Sequence, residues 1–258
     1  MDLQALMQLP PGGLTVALLV LIRISSLFVT APILGNLQVP VRLRVGLAIF
    51  ITVLILPIEL AAPRPHLDGT YDLTLAVLRE MAVGLILGFV ATTVFQGIQM
   101  AGHMISVQMG FSMSQMFDPN TRSQSEEISV LLGLLASMTF LAIDGHHWLI
   151  LAVWRSFQTV PLGTFTPHGP LISKVLAATT GIFDTALTLM LPIVGVLAII
   201  DLTLAILNKV MPQMNVFSIS SGIKILIGLW SLAAILPLFG ETVEILLQRM
   251  LAGLVGFF

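Results

Sequence analysis

Residues 81–117 read MAVGLILGFVATTVFQGIQMAGHMISVQMGFSMSQMF, 37 positions in succession without an Asp, Glu, Lys or Arg. As one helix rising ~1.5 Å per residue, this stretch is about 55 Å long. The hydrocarbon core of a bilayer is only ~30 Å thick. Gly84, Gly88, Gly97, Gly102 and Gly110 punctuate the run. Gly84 and Gly88 stand four apart, so they share a helix face on which a second helix can approach closely. From Gly110 to Pro119 the helical periodicity gives way to serines and a terminal Asp-Pro, and that end reads as a loop. Met100 and Met104, four apart on one helix face, read as plain core packing.

The rest of the chain has the same character. Of its 258 residues, 57% are hydrophobic and 9% charged, and the mean hydropathy is +1.02. A soluble domain carries roughly 25% charged residues, so a soluble enzyme is excluded. Disorder is excluded as well, because so much apolar surface does not stay in water. Lys plus Arg number 11 against 13 Asp plus Glu, and that balance supplies no basic face for nucleic acid. Cysteine is absent, which removes disulfides, thiolate metal sites and cysteine nucleophiles.

Apolar stretches at 14–34, 45–60, 81–102, 128–143, 175–207 and 225–238 make about six candidate spans. Several charge-free runs are short, such as 45–58 and 186–200, against the ~20 residues of a straight span. Arg23, Glu59, Asp184, Asp201, Lys224 and Glu241 interrupt or flank the runs at depths where a charge must face protein or water. Lys and Arg are spread evenly over the connections, so no orientation follows from them. Two arrangements fit: a polytopic membrane protein, or helices buried mainly against other subunits. At the start, residues 1–9 precede Pro10-Pro11-Gly12-Gly13 with no Lys or Arg before Arg23. They read as a short apolar helix and a turn retained in the mature protein, not as a signal peptide. Polar breaks at 62–71, 118–127 and 161–170 are linkers between helical hairpins, too short to be domains. The expectation is one all-α domain of membrane-associated helical hairpins, packed into a larger helical assembly.

Three stretches in order carry a family resemblance. The first is Arg79-Glu80-Met-Ala-Val-Gly84-Leu-Ile-Leu-Gly88, running on through Gly102, Gln108, Gly110 and Asp118-Pro119. The second is Asp144-Gly145-His146-His147 with Ser156-Phe157 and Pro161-Leu-Gly163. The third is Pro192, Asp201 and Pro212-Gln-Met-Asn215-Val-Phe217. Together they resemble the FliR family, the flagellar protein-export component called SctT in injectisomes, over nearly the whole chain. The DGHH run and the Pro212 turn look more like the flagellar branch. The resemblance implies a closed spiral with several copies of FliP and FliQ, forming the type III export gate of the bacterial inner membrane and flagellar basal body. A single FliR-like chain closes the ring, and much of the assembly lies toward the periplasm. FlhB is the further implied partner, unfolded export substrates pass through, and the family does not itself hydrolyse ATP. It also implies one domain over 1–258, FliP-like to about 170 and FliQ-like over about 171–258.

In such proteins a loop plugs the pore, and the matching segment here is 106–122. The implied plug residues are Met109, Gly110, Phe111, Met113, Met116 and Phe117. Methionine is flexible and polarizable, and hydrophobic constrictions gate by dewetting, so a Met/Phe loop suits a deformable seal. The resemblance implies bulky aromatics in this loop; Met113 and Met116 depart from that pattern, so it carries over hydrophobic sealing but not aromatic packing as the sealing contact.

The remaining polar residues read as architecture. Arg79 and Glu80 are adjacent, point to different faces and so do not pair with each other; either each meets a neighbouring helix or subunit, or they form a solvated helix end. Asp144 is expected near a helix N-cap, with His146 hydrogen-bonding within the assembly. Asp144, His146 and His147 are not expected to hold a metal, because neighbouring histidines on a helix diverge by about 100°. Asp201 is expected to fix a helix contact, and Pro212 and Asn215 to mark a hairpin turn. The alternative reading is a secondary transporter of a small solute using Asp201 and Asp184 as relay acids. No GxSxG elbow, phosphate-binding GxxxxGK[ST] loop or dinucleotide GxGxxG unit is present. The sequence therefore points to no catalytic site and no cofactor.

Overall fold

The computed structural model describes residues 12–35, 39–62, 69–111, 127–167, 169–211 and 216–257. Its regular elements are all helices: α1 (Gly13–Thr30), α2 (Val41–Ala61), α3 (Thr70–Met109), α4 (Glu127–Ala142), α5 (Gly145–Thr159), α6 (Gly169–Val210) and α7 (Val216–Val255). No strand occurs among the described residues. Five of the helices are long and apolar enough to cross a membrane, or six if α4 and α5, bent by 70° at their junction, count as one broken span. The expected residues 1–9, Met113, Met116, Phe117, Pro212 and Asn215 lie outside the described residues.

α3 and α7 run well beyond the apolar stretches of the sequence. α3 starts at Thr70, with Asp72 in its first turn, where a carboxylate complements the helix dipole. It continues to Met109, so the segment 106–109 is helical and not part of a loop. Nothing between Gly102 and Gly110 breaks a helix, and Gly110 is the first residue able to adopt the left-handed turn it takes, at φ 92°. α7 runs past Glu241, Glu244 and Arg249 to Val255. Those charges stand exposed, while Val243, Leu247, Met250, Leu251 and Leu254 keep a buried stripe at helical spacing. Charge alone therefore does not end the helix. Pro57, Pro192 and Pro237 sit inside helices, as is tolerated where surrounding groups re-satisfy the backbone.

The described residues fall into two compact units. The first takes its residues from Met1–Thr92, Asp144–Ala178 and Arg249–Phe258, the second from Thr93–Ile143 and Thr179–Gln248. In the first, α1 packs along α2, and its buried face runs Val16, Leu19, Val20, Arg23, Leu27 at helical spacing. Gly84 and Gly88 of α3 pack on the same helix, as their spacing predicted. A Cβ at Gly84 would overlap Ser26 Oγ and the Arg23 carbonyl, and one at Gly88 would overlap Thr30 Oγ1 and lie 2.7 Å from the Leu27 carbonyl. Lys174, early in α6, donates to the Phe257 carbonyl at 2.7 Å, a cation just beyond the C-terminal end of α7. In the second unit, Phe95 of α3 meets Phe140 of α4 edge-on at 5.6 Å, and Leu132, Ile193 and Leu197 are also fully buried. Met104 is exposed and Met100 half-buried, which corrects the reading of Met104 as core.

Candidate functional site

Each unit contains one polar anchor set into otherwise apolar helices. The first is built on Arg23, whose side chain is only 1% exposed. A buried guanidinium without a partner is costly, and here every arm is engaged. Its Nε donates to Glu80 Oε2 at 2.5 Å. Nη1 donates to the Ser156 carbonyl and Nη2 to the Val160 carbonyl, each at 3.0 Å. Those carbonyls belong to the last turn and cap of α5, so the cation also complements that helix's negative end. The guanidinium stacks 4.3 Å from the centre of the Phe157 ring. Glu59 of α2 lies near enough to feel both charges of the pair.

Arg79 and Glu80 do not pair with each other but grip one residue from two sides. The Gly163 N–H donates to Glu80 Oε1 at 2.7 Å, and Arg79 Nη1 donates to the Gly163 carbonyl at 2.7 Å. Gly163 turns at φ 74°, a conformation glycine adopts without strain. The Arg-Glu motif and the Pro-Leu-Gly motif, more than 80 residues apart in sequence, thus form one structure with Ser156 and Phe157. Arg23 was legible only as a charge at an awkward depth; its backbone partners carry no side-chain signal.

The second anchor is Asp201 on α6. Its Oδ1 is ion-paired with Lys224 of α7, and its Oδ2 accepts from Gln108 Nε2 of α3 at 2.9 Å. One carboxylate therefore ties three helices. Asp184, the other acid of the transporter alternative, stands on the exposed face of α6. The residue after Gln108 is Met109, which is fully buried. Its side chain occupies the space that a Cβ on Gly228 would need. Within this unit Met109 is helical core, which corrects its placement in the plug loop. Gly110 follows as the turn, its N–H bonded to the Val107 carbonyl at 3.1 Å, and Phe111 is half-buried.

Asp144 takes the N-cap position of α5 but in a left-handed conformation (φ 56°), and its side chain does not cap the helix. Asp144, His146 and His147 are exposed, with potential ligand atoms all within 4.8 Å of one another. The two imidazoles lie 4.2 Å apart between ring centres with their planes tilted by 38°, so the divergence argument against a shared ion does not hold. Against a cation stands the positive end of the α5 dipole.

The family described as bacterial export proteins, family 1, matches residues 14–250. The flagellar biosynthetic protein FliR of Escherichia coli (strain K12) is 32% identical over 89% of this chain and 87% of that protein. FliR of Bacillus subtilis (strain 168) is 34% identical over 81% of each. FliR of Aquifex aeolicus (strain VF5) is 27% identical over 86% of this chain and 85% of that protein. With a family match across the anchors and all seven helices, the chain belongs to the bacterial export proteins of family 1, the FliR family.

Proposed function

We propose that the chain is a structural and gating subunit of the flagellar type III protein-export gate in the bacterial inner membrane. The observation that carries this reading is the family match over residues 14–250. In this reading it joins FliP and FliQ homologues in a closed helical assembly, with FlhB outside and much of the complex toward the periplasm. Its first ~170 residues play a FliP-like part and the remainder a FliQ-like part. The exposed apolar faces support burial against lipid and neighbouring subunits: only 17% of the most apolar window of α6 and 22% of those of α2 and α7 are buried within the chain. Arg79, Glu80 and Asp201 hold the helices in register for that packing. Asp144, His146, Pro212 and Asn215 meet other subunits.

The seal is assigned to Gly110, Phe111, Met113, Met116 and Phe117, which follow the C-terminus of α3, with Met109 as the buried root of the loop. Deleting residues 113–117 is expected to leave the complex with FliP and FliQ intact while the closed channel conducts ions. Planar-bilayer recording on the purified complex reads this directly, and unchanged conductance in the deletion would refute the plug. Native mass spectrometry of the co-expressed complex is expected to give one copy of this chain; a partner-free monomer or homodimer would refute the subunit reading.

A further inference from the structure

Between residues 93 and 109 the exposed positions of α3 are Gln96, Gln99, His103, Met104 and Val107. Their spacing places them on one face of the helix. Three of the five are polar and none is Lys, Arg, Asp or Glu. Exposed faces of α4 and α6 in the same unit are of another kind, while α7 carries the exposed Glu241, Glu244 and Gln248 toward its C-terminal end. α4 presents Val130, Leu134 and Met138, and α6 presents Leu187, Leu191 and Ile199. α6 also has one polar stripe, Thr180, Asp184 and Thr188, four residues apart and exposed. The two polar stripes lie at one height. α3 and α6 touch where a Cβ on Gly97 would stand 2.6 Å from Thr185 Cβ and 2.8 Å from the Ile182 carbonyl, so Gln96 and Asp184 flank the same contact.

Amides and a carboxylate facing hydrocarbon are costly, and polar groups within apolar helices face protein or a water-filled cavity. The large apolar side chains exposed on α4 and α6 satisfy lipid or a packed neighbour. We propose that the stripe Gln96, Gln99 and His103, with Thr180, Asp184 and Thr188 at the same level, faces the aqueous passage of the export gate and contacts extended, unfolded polypeptide in transit. Gln and imidazole groups both donate and accept hydrogen bonds. They match the unpaired N–H and C=O groups of any extended backbone without selecting its sequence. A face with a single carboxylate holds no row of like charge to trap a segment. The flexible Met104 beside them accommodates passing side chains of different shape. The inference rests on the export-gate reading.

The chain has no cysteine, so single-cysteine variants report one position each. Gln96→Cys, Gln99→Cys and Thr188→Cys, with Val130→Cys, Leu134→Cys and Leu191→Cys as apolar-face controls, are made in the complex co-expressed with FliP and FliQ homologues. Modification by a charged, membrane-impermeant methanethiosulfonate is followed by mass spectrometry of this chain. The stripe positions are expected to react at least ~10-fold faster than the controls, because a thiol in apolar surroundings ionises less. An export substrate fused to a tightly folded domain, stalled in transit, is expected to slow the stripe reactions and leave the controls unchanged. Rates equal to the controls would overturn the proposal. So would fast reaction unaffected by the stalled substrate, which would mark the stripe as outer, water-exposed surface. Failure of the unsubstituted chain to join the complex is seen separately in its native mass, and that result would overturn the export-gate reading itself.

Discussion

Replacing Glu80 by Met isolates the energetics of the first anchor. Glu80 is fully buried and receives both the Arg23 guanidinium and the Gly163 N–H. Glu80→Met leaves Arg23 buried without its counter-charge, a change that costs ~3–5 kcal/mol for a buried pair. The orphaned Gly163 N–H alone is worth about 1–3 kcal/mol. The two costs overlap, so the expected loss is about 4 kcal/mol, roughly a thousandfold in the folded-to-unfolded ratio. Arg23→Met should cost a similar amount, since it strands the Glu80 carboxylate and takes a donor from the Val160 carbonyl. The double variant removes both charges and strands only neutral groups. It should be at least ~2 kcal/mol more stable than the two single losses predict together. Glu80→Gln, which keeps an acceptor for Gly163, should fall between wild type and Glu80→Met. Unfolding of the detergent-solubilised protein in a denaturant series, followed by tryptophan fluorescence, measures all four. A Glu80→Met loss below ~1 kcal/mol, or strict additivity in the double variant, would refute the claim that the pair is a buried, mutually dependent charge.

Glycines on α3 and α4 give a prediction with opposite signs at two sites. Gly133→Ala, where an added Cβ meets nothing within 4 Å, should stabilise α4 by ~0.5–1 kcal/mol through helix propensity. Gly84→Ala places the same methyl against the Arg23 carbonyl and should destabilise by about 1–3 kcal/mol net; the same denaturant series compares them. Asp201→Asn removes the Lys224 ion pair but keeps an acceptor for Gln108. Because the Asp201 side chain is 38% exposed, the expected loss is below ~1 kcal/mol, with assembly by native mass spectrometry unchanged. Abolition of a proton-coupled solute uptake by this substitution would instead favour the transporter alternative.

Much of this protein was legible in the sequence because the relevant signals are local. A charge-free run of 37 residues and a mean hydropathy of +1.02 leave only apolar helices as the backbone's way of satisfying itself away from water. The small-residue face at Gly84 and Gly88 follows from helical spacing alone, and the family resemblance from motifs in order. Tertiary structure decided what spacing cannot encode. The end of α3 moved from before residue 106, where the loop was expected to begin, to Met109, because burial over Gly228 and the Gln108–Asp201 bond favour continuing the helix to the first glycine able to turn. The length of α7 depended on whether its charges faced outward, which only packing settles. Arg23 carried no visible partner, since three of the groups that satisfy it are backbone atoms or lie on helices far away in sequence. The sequence by itself thus determined an apolar, all-helical member of an export family. The three-dimensional arrangement alone determined which buried charges meet and which face of each helix is left for water, lipid or another subunit, because pairing and exposure are properties of neighbours brought together by folding.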